Sequence, residues 1–112
     1  MHMTHSEILA DRIRQALAHL SSVKEQKMIG GHSFMVNGKL CVGVYGSGDM
    51  LLRCDPKETD ELLTRKGARW AEMNGKPMAK GWVLISSEGL TSQKDFDDWI
   101  GVALDFNRKR SQ

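Results

Sequence analysis

Apolar residues recur along this chain with two different periods. Near the start, Ile8, Leu9, Ile13, Ala16, Leu17 and Leu20 fall on one side of a 3.6-residue repeat. That spacing predicts a helix from about residue 5 to residue 21. Thr4 and Glu7 stand at the separation of a capping box. Near the end, Phe96, Trp99, Ile100, Ala103, Leu104 and Asn107, all apolar but the last, repeat at i, i+3, i+4, i+7, i+8 and i+11. A closing helix over residues 92–108 follows, with Ser92 as its cap. Between them the spacing changes to short runs punctuated by glycine. Strands are predicted at 26–29, 32–36, 39–45, 49–54, 70–73 and 80–86. Asn37-Gly38 is the hairpin turn, because a type I′ turn needs positive φ at both central residues. Asn74-Gly75-Lys76 repeats that chemistry. Asp55, Pro56 and Glu58 open a short helix reaching Lys66 and ending at Gly67. The order is helix, four strands, short helix, two strands, helix. It describes an α+β domain: an antiparallel β-meander flanked by N- and C-terminal helices, with a short helix inserted between strands.

A two-residue turn at Asn37-Gly38 sets Met35 against Leu40 and Phe34 against Cys41. Pairing Tyr45 with Asp49 sets Val44 against Met50 and Val42 against Leu52. One face then carries Met35, Leu40, Val42, Val44, Met50, Leu52 and Cys54, a core face. The other carries Phe34, Val36, Cys41, Tyr45, Leu51 and Arg53. Both faces are apolar, so three helices leave part of one as a candidate surface for a protein partner or a homodimer. Phe34, Val36, Tyr45 and Leu51 are its expected residues. Cys41 and Cys54 are expected on opposite faces, unpaired.

The 112 residues suit a single domain spanning 1–112, with an ordered core over 6–108. A hydrophobic share of 40% and a charged share of 27% are those of a globular chain. No apolar run approaches the ~20 residues of a membrane span. Two lone cysteines without a secretory signal point to the cytoplasm. The formal charge of +2 is too small to imply nucleic acid on its own. The densest internal basic group, Arg65, Lys66 and Arg69, lies near Trp70, Lys76 and Lys80. Aromatic and basic residues together can bind single-stranded nucleic acid, which makes these five cations the alternative patch.

Few residues of the chain suggest chemistry. Gly43, Gly46 and Gly48 resemble a nucleotide loop, but a strand follows them where a helix N-terminus is required. Gly30-Gly31 likewise precedes a strand and reads as a bulge or chain reversal. The four histidines form no ligand motif, so no metal is expected. Cys41 sits among apolar neighbours that make a thiol inert. Asp95, Asp97 and Asp98 complement a helix dipole rather than forming a catalytic pair. No catalytic residue and no cofactor are expected.

Met28-Ile29-Gly30-Gly31, Asn37-Gly38-Lys39, Leu51-Leu52-Arg53-Cys54-Asp55, Gly67, Gly75-Lys76-Pro77-Met78 and Trp99 together resemble the N-terminal domain of the TfoX/Sxy competence regulators. The resemblance runs from Ile8 to Phe106, with Ile29 and Ser33 departing from the usual pattern. It implies a compact antiparallel sheet flanked by helices. In full-length members a helical second domain follows, and they act in bacterial transcriptional activation of DNA-uptake genes with the cyclic-AMP receptor protein. It supplies no catalytic residues. The chain is therefore expected to be a stand-alone first domain: a non-enzymatic cytoplasmic module working by protein–protein contact. The alternatives are a nucleic-acid-binding regulator using the basic patch and a small enzyme of unknown reaction.

Overall fold

The computed structural model describes residues 3–28, 31–46, 48–73 and 75–110. Its elements are α1 (His5–Ala16), β1 (Val23–Met28), β2 (Gly31–Val36), β3 (Lys39–Tyr45), β4 (Asp49–Arg53), a 3₁₀ turn (Pro56–Glu58), α2 (Thr59–Leu62), β5 (Ala68–Trp70), β6 (Glu72–Met73), β7 (Lys76–Pro77), β8 (Trp82–Ile85), a second 3₁₀ turn (Ser87–Gly89) and α3 (Gln93–Arg110). The main sheet runs β1-β2-β3-β4-β8-β5 and every neighbouring pair in it is antiparallel. The α+β architecture is the one the periodicity predicts.

Local chemistry accounts for the element ends. Thr4 accepts from the Glu7 amide at 3.1 Å and Glu7 reaches back to the Thr4 amide, closing the capping box. Helix α1 stops at Ala16, short of the expected residue 21, although Leu17 stays buried. Ile8, expected on the apolar stripe, is 46% exposed because Leu9 takes the inward position beside Ile13. Asn37 and Gly38 have φ of 54° and 78°, the type I′ geometry. Ser92 accepts from the Asp95 amide at 3.0 Å and caps α3. The inserted helix is shorter than expected, ending at Leu62, and Gly67 turns the chain with φ of 81°. The expected strand over 70–73 breaks at buried Ala71, whose carbonyl accepts the Met78 amide at 2.8 Å. Beyond it β6 and β7 peel off as a separate hairpin. Asn74 and Gly30 lie outside the described residues.

One register differs from expectation. Met35 pairs with Leu40, but Phe34 pairs with Val42, not Cys41. Cys41 is the extra residue of a β-bulge, which shifts the rest of β2 relative to β3. Phe34 therefore shares a face with Val42, Leu52 and Val83 and is fully buried. Beyond the turn side of the bulge, Met35 and Leu40 fall on the opposite face and stay half-buried. Val36, also expected outside, is buried in the core. The β3–β4 pairing matches expectation, with Val44 on Met50 and Val42 on Leu52.

Helices α1 and α3 both pack on the Phe34–Val42 face, where Leu9, Ile13, Leu17, Phe96, Trp99, Ile100 and Ala103 complete the core. Asn107 is a buried polar residue on α3. Its amide donates to the Val36 carbonyl at 2.9 Å and its oxygen accepts from Asn37 at 3.2 Å, tying the end of α3 to the hairpin.

Two glycine substitutions should have opposite signs. A Cβ at Gly31 would strike the Val44 carbonyl across the ladder, whereas one at Gly101 in α3 meets open space. Gly31→Ala should cost about 1–3 kcal/mol and Gly101→Ala should add about 0.5–1 kcal/mol in urea unfolding. Equal and small effects would contradict the close β2–β3 approach.

Candidate functional site

Among the described residues no helix packs on the second face of the sheet; the buried apolar residues of α1, α2 and α3 all join the core cluster on the first. The second face is built by the alternate residues of the central strands. Tyr45 pairs with Asp49, Gly43 with Leu51, Leu51 with Leu84, and Leu84 with Arg69. Leu84 is buried yet stands outside the helix-covered core cluster. Tyr45 and Leu51 are half-buried beside it, and Met35 and Leu40 are half-buried farther along the same face. An ion pair of 2.5 Å joins Arg69 to Asp49 at the side of this patch. Next to it, Tyr45, Arg69, Trp70, Glu72, Gly75 and Leu84 line an open hollow of about 540 Å³.

Of the four residues expected to form a partner surface, the bulge separates two from the others. Phe34 and Val36 are 0% and 3% exposed under the helices. Tyr45 and Leu51 lie together on the uncovered face. The five cations of the alternative patch do not form a free basic stripe. Arg65 pairs with Glu61 at 3.6 Å and lies over Trp99, Arg69 pairs with Asp49, and Lys80 pairs with Asp60 at 3.0 Å. Lys66 and Lys76 are exposed. Trp70 is anchored by its indole N–H to the Met78 carbonyl at 2.8 Å.

Sequence reading missed a different aromatic and basic cluster. The Arg53 guanidinium lies 4.9 Å from the Trp82 ring centroid and 5.3 Å from that of Phe106. Arg110 lies 5.5 Å from the same Phe106 ring. Burial, and then the charge of Arg110, lower the Arg53 pKa. They come from three separate segments, β4, β8 and the end of α3, so no single local motif marks them.

A second hollow of about 450 Å³ lies between the start of α1, the β3–β4 loop and the chain before α3. Several of its polar groups are engaged within the fold. Arg12 donates to the Leu90 carbonyl at 2.8 Å and stacks on Phe96, and Thr91 donates to the Ser87 carbonyl at 2.9 Å. Both cysteines are buried and free. Burial pushes the Cys41 thiol up to about 12 and raises that of Cys54, so neither is a ready nucleophile at neutral pH. Gly46 and Gly48 turn the β3–β4 loop with φ of 63° and 135°. Among the described residues no three histidine, cysteine or acidic side chains gather as metal ligands, and no helix is long and apolar enough to cross a membrane.

This sheet and its helices carry a family signature. The family model of the TfoX N-terminal domain matches residues 15–107. The chain belongs to that family. No curated protein and no solved structure matches it. Most of α1 precedes the matched span, whereas all eight strands and the capped start of α3 fall within it.

At the rim of the TfoX-type sheet, Glu25 joins three elements. Its carboxylate accepts from Arg14 of α1 at 2.6 and 2.8 Å and meets His32 of β2 at 2.7 Å. The Arg14 hydrogen bond, helped by His32, holds Glu25 at about 2, below its ordinary 4.5. A depressed carboxylate contributes stability above its unfolded pKa and loses it as pH falls through the folded value. Solvent at this partly exposed site limits the contribution to about 1 kcal/mol. Glu25→Gln should therefore be less stable than the parent at pH 6, and the gap should close between pH 4.5 and 2. Urea titrations across that window check it; a gap independent of pH contradicts the network.

Proposed function

We propose that this domain is a non-enzymatic binding module of the competence-regulator type, acting in the cytoplasm by docking a protein partner on the uncovered sheet face. The observation that carries the reading is the one-sided packing. Both faces are apolar, yet α1 and α3 pack on the same one. Tyr45 and Leu51 stay half-buried around Leu84 on the other, beside an open hollow. Tyrosine with aliphatic neighbours and a polar rim is the usual composition of an interface centre. Membership in the TfoX N-terminal family supports a link to regulation of DNA uptake, and the two reduced thiols suit a reducing compartment. A small enzyme has less support, because Arg12 and Thr91 in the hollow beside α1 are already hydrogen-bonded within the fold.

Tyr45→Asp and Leu51→Asp should each weaken partner recovery by more than about 2 kcal/mol, roughly 30-fold, as expected for interface-centre residues. Unchanged far-UV circular dichroism would show that the fold survives. Undiminished recovery with both variants would remove this face from the function.

A nucleic-acid-binding regulator is the second reading. The Arg53, Trp82, Phe106 and Arg110 cluster favours it more than the ion-paired Arg65, Arg69 and Lys80 do. Under this reading, affinity for single-stranded DNA or RNA falls steeply between 50 and 200 mM salt, as expected when ~6–10 phosphates are contacted. Salt-independent binding, or none, rejects it.

A further inference from the structure

The sheet ends on one side in a strand shaped for pairing. Strand β1 hydrogen-bonds to β2 and is the outer strand of the sheet. The opposite edge is blunted. β5 has three residues, and past Trp70 the chain leaves the sheet for the β6–β7 hairpin. Bare edges are commonly protected by shortness, charged side chains, proline, bulges or covering chain, and of these β1 has only the charges. β1 has six residues and no proline, pairs with β2 without a register shift, and exposes Lys24, Glu25, Gln26 and Lys27.

One hydrogen bond shows which backbone groups point outward. The Asn37 amide donates to the Ser22 carbonyl at 3.0 Å, one step beyond the Val23–Val36 pair. Bonded and non-bonded pairs alternate along an antiparallel ladder. Lys24, Gln26 and Met28 therefore spend their backbone groups on β2. Val23, Glu25 and Lys27 turn both N–H and C=O away from the sheet.

The side chains then select partner and register. Two copies of β1 meeting about a two-fold axis place some residue opposite itself. An axis at Lys24 or Lys27 opposes two ammonium groups, and an axis at Glu25 opposes two carboxylates. Like charges directly opposite are destabilising. An axis at Gln26 opposes two neutral amides and sets Glu25 against Lys27 twice. In that register Glu25 and Lys27, the residues with outward backbone groups, become the bonded pairs. Arg14 and His32 already hold Glu25 ionised and fixed in place.

We propose that β1 pairs with β1 of a second copy of this chain, antiparallel, with Gln26 opposite Gln26, so that two sheets become one. The uncovered faces remain open in that arrangement, and the dimer presents them twice.

Sedimentation of the purified chain over a concentration series tests this, with amide exchange followed by NMR. A monomer–dimer equilibrium is expected, with the Glu25 and Lys27 amides slowing as concentration rises. Lys27→Glu places carboxylates opposite one another and should weaken dimerisation at least tenfold. Lys27→Pro removes an outward N–H without touching the β2 ladder and should do the same. Mixing Lys27→Glu with Glu25→Lys restores unlike charges across the axis and should recover a heterodimer. A parent chain that stays monomeric into the millimolar range overturns the proposal. So does a dimer that survives both Lys27 substitutions.

Discussion

Cys41 is one residue more than β3 needs to match β2, and the rest of the molecule is arranged around that surplus. In an unbroken register, Phe34 would oppose Cys41 and leave the core face. The bulge moves it opposite Val42, onto the face that both long helices cover. Burying a phenylalanine fully contributes about 1.5–3 kcal/mol, enough to offset a locally disrupted ladder. The same shift sends Met35 and Leu40 to the other face. One face thus gains the large anchor of the core, and the other is left with half-buried apolar groups.

That division links packing to function. Helices α1 and α3 meet on a single side, held by a short chain of specific contacts: Arg12 to the Leu90 carbonyl, Asn107 to the Val36 carbonyl, and Arg14 to Glu25. The side without helices keeps Tyr45 and Leu51 around Leu84. Its rim carries an ion pair rather than a run of like charge, which suits a protein surface better than a polyanion. The bare β1 edge lies in the plane of the sheet, so strand pairing there and docking on the face are geometrically separate events.

Much of this was legible in the chain because it depends on neighbours in sequence. The α3 stripe, the Thr4–Glu7 box, the Ser92 cap and the Asn37-Gly38 turn each rest on residues a few positions apart. The family resemblance was readable for a similar reason, as ordered local clusters. The bulge was not, because Cys41 carries neither the glycine nor the proline that usually marks one. Placing Phe34 and Val36 on the outside followed from that single missed residue. The ion pairs of the basic patch were hidden for a different reason. Its partners, Asp49 for Arg69 and Asp60 for Lys80, lie 20 residues away in sequence and come close only through the fold. The stacking of Arg53 between Trp82 and Phe106 joins three separate segments and has no local signal at all.

The claim that the uncovered sheet face is the working surface is tested most directly by photocrosslinking in living cells. A photoreactive amino acid at position 51 would be compared with the same group at position 97, on the exposed side of α3. The account predicts a discrete, nuclease-resistant protein adduct from position 51 and none from position 97. Adducts of equal yield from both positions, or an adduct from position 97 alone, would contradict it.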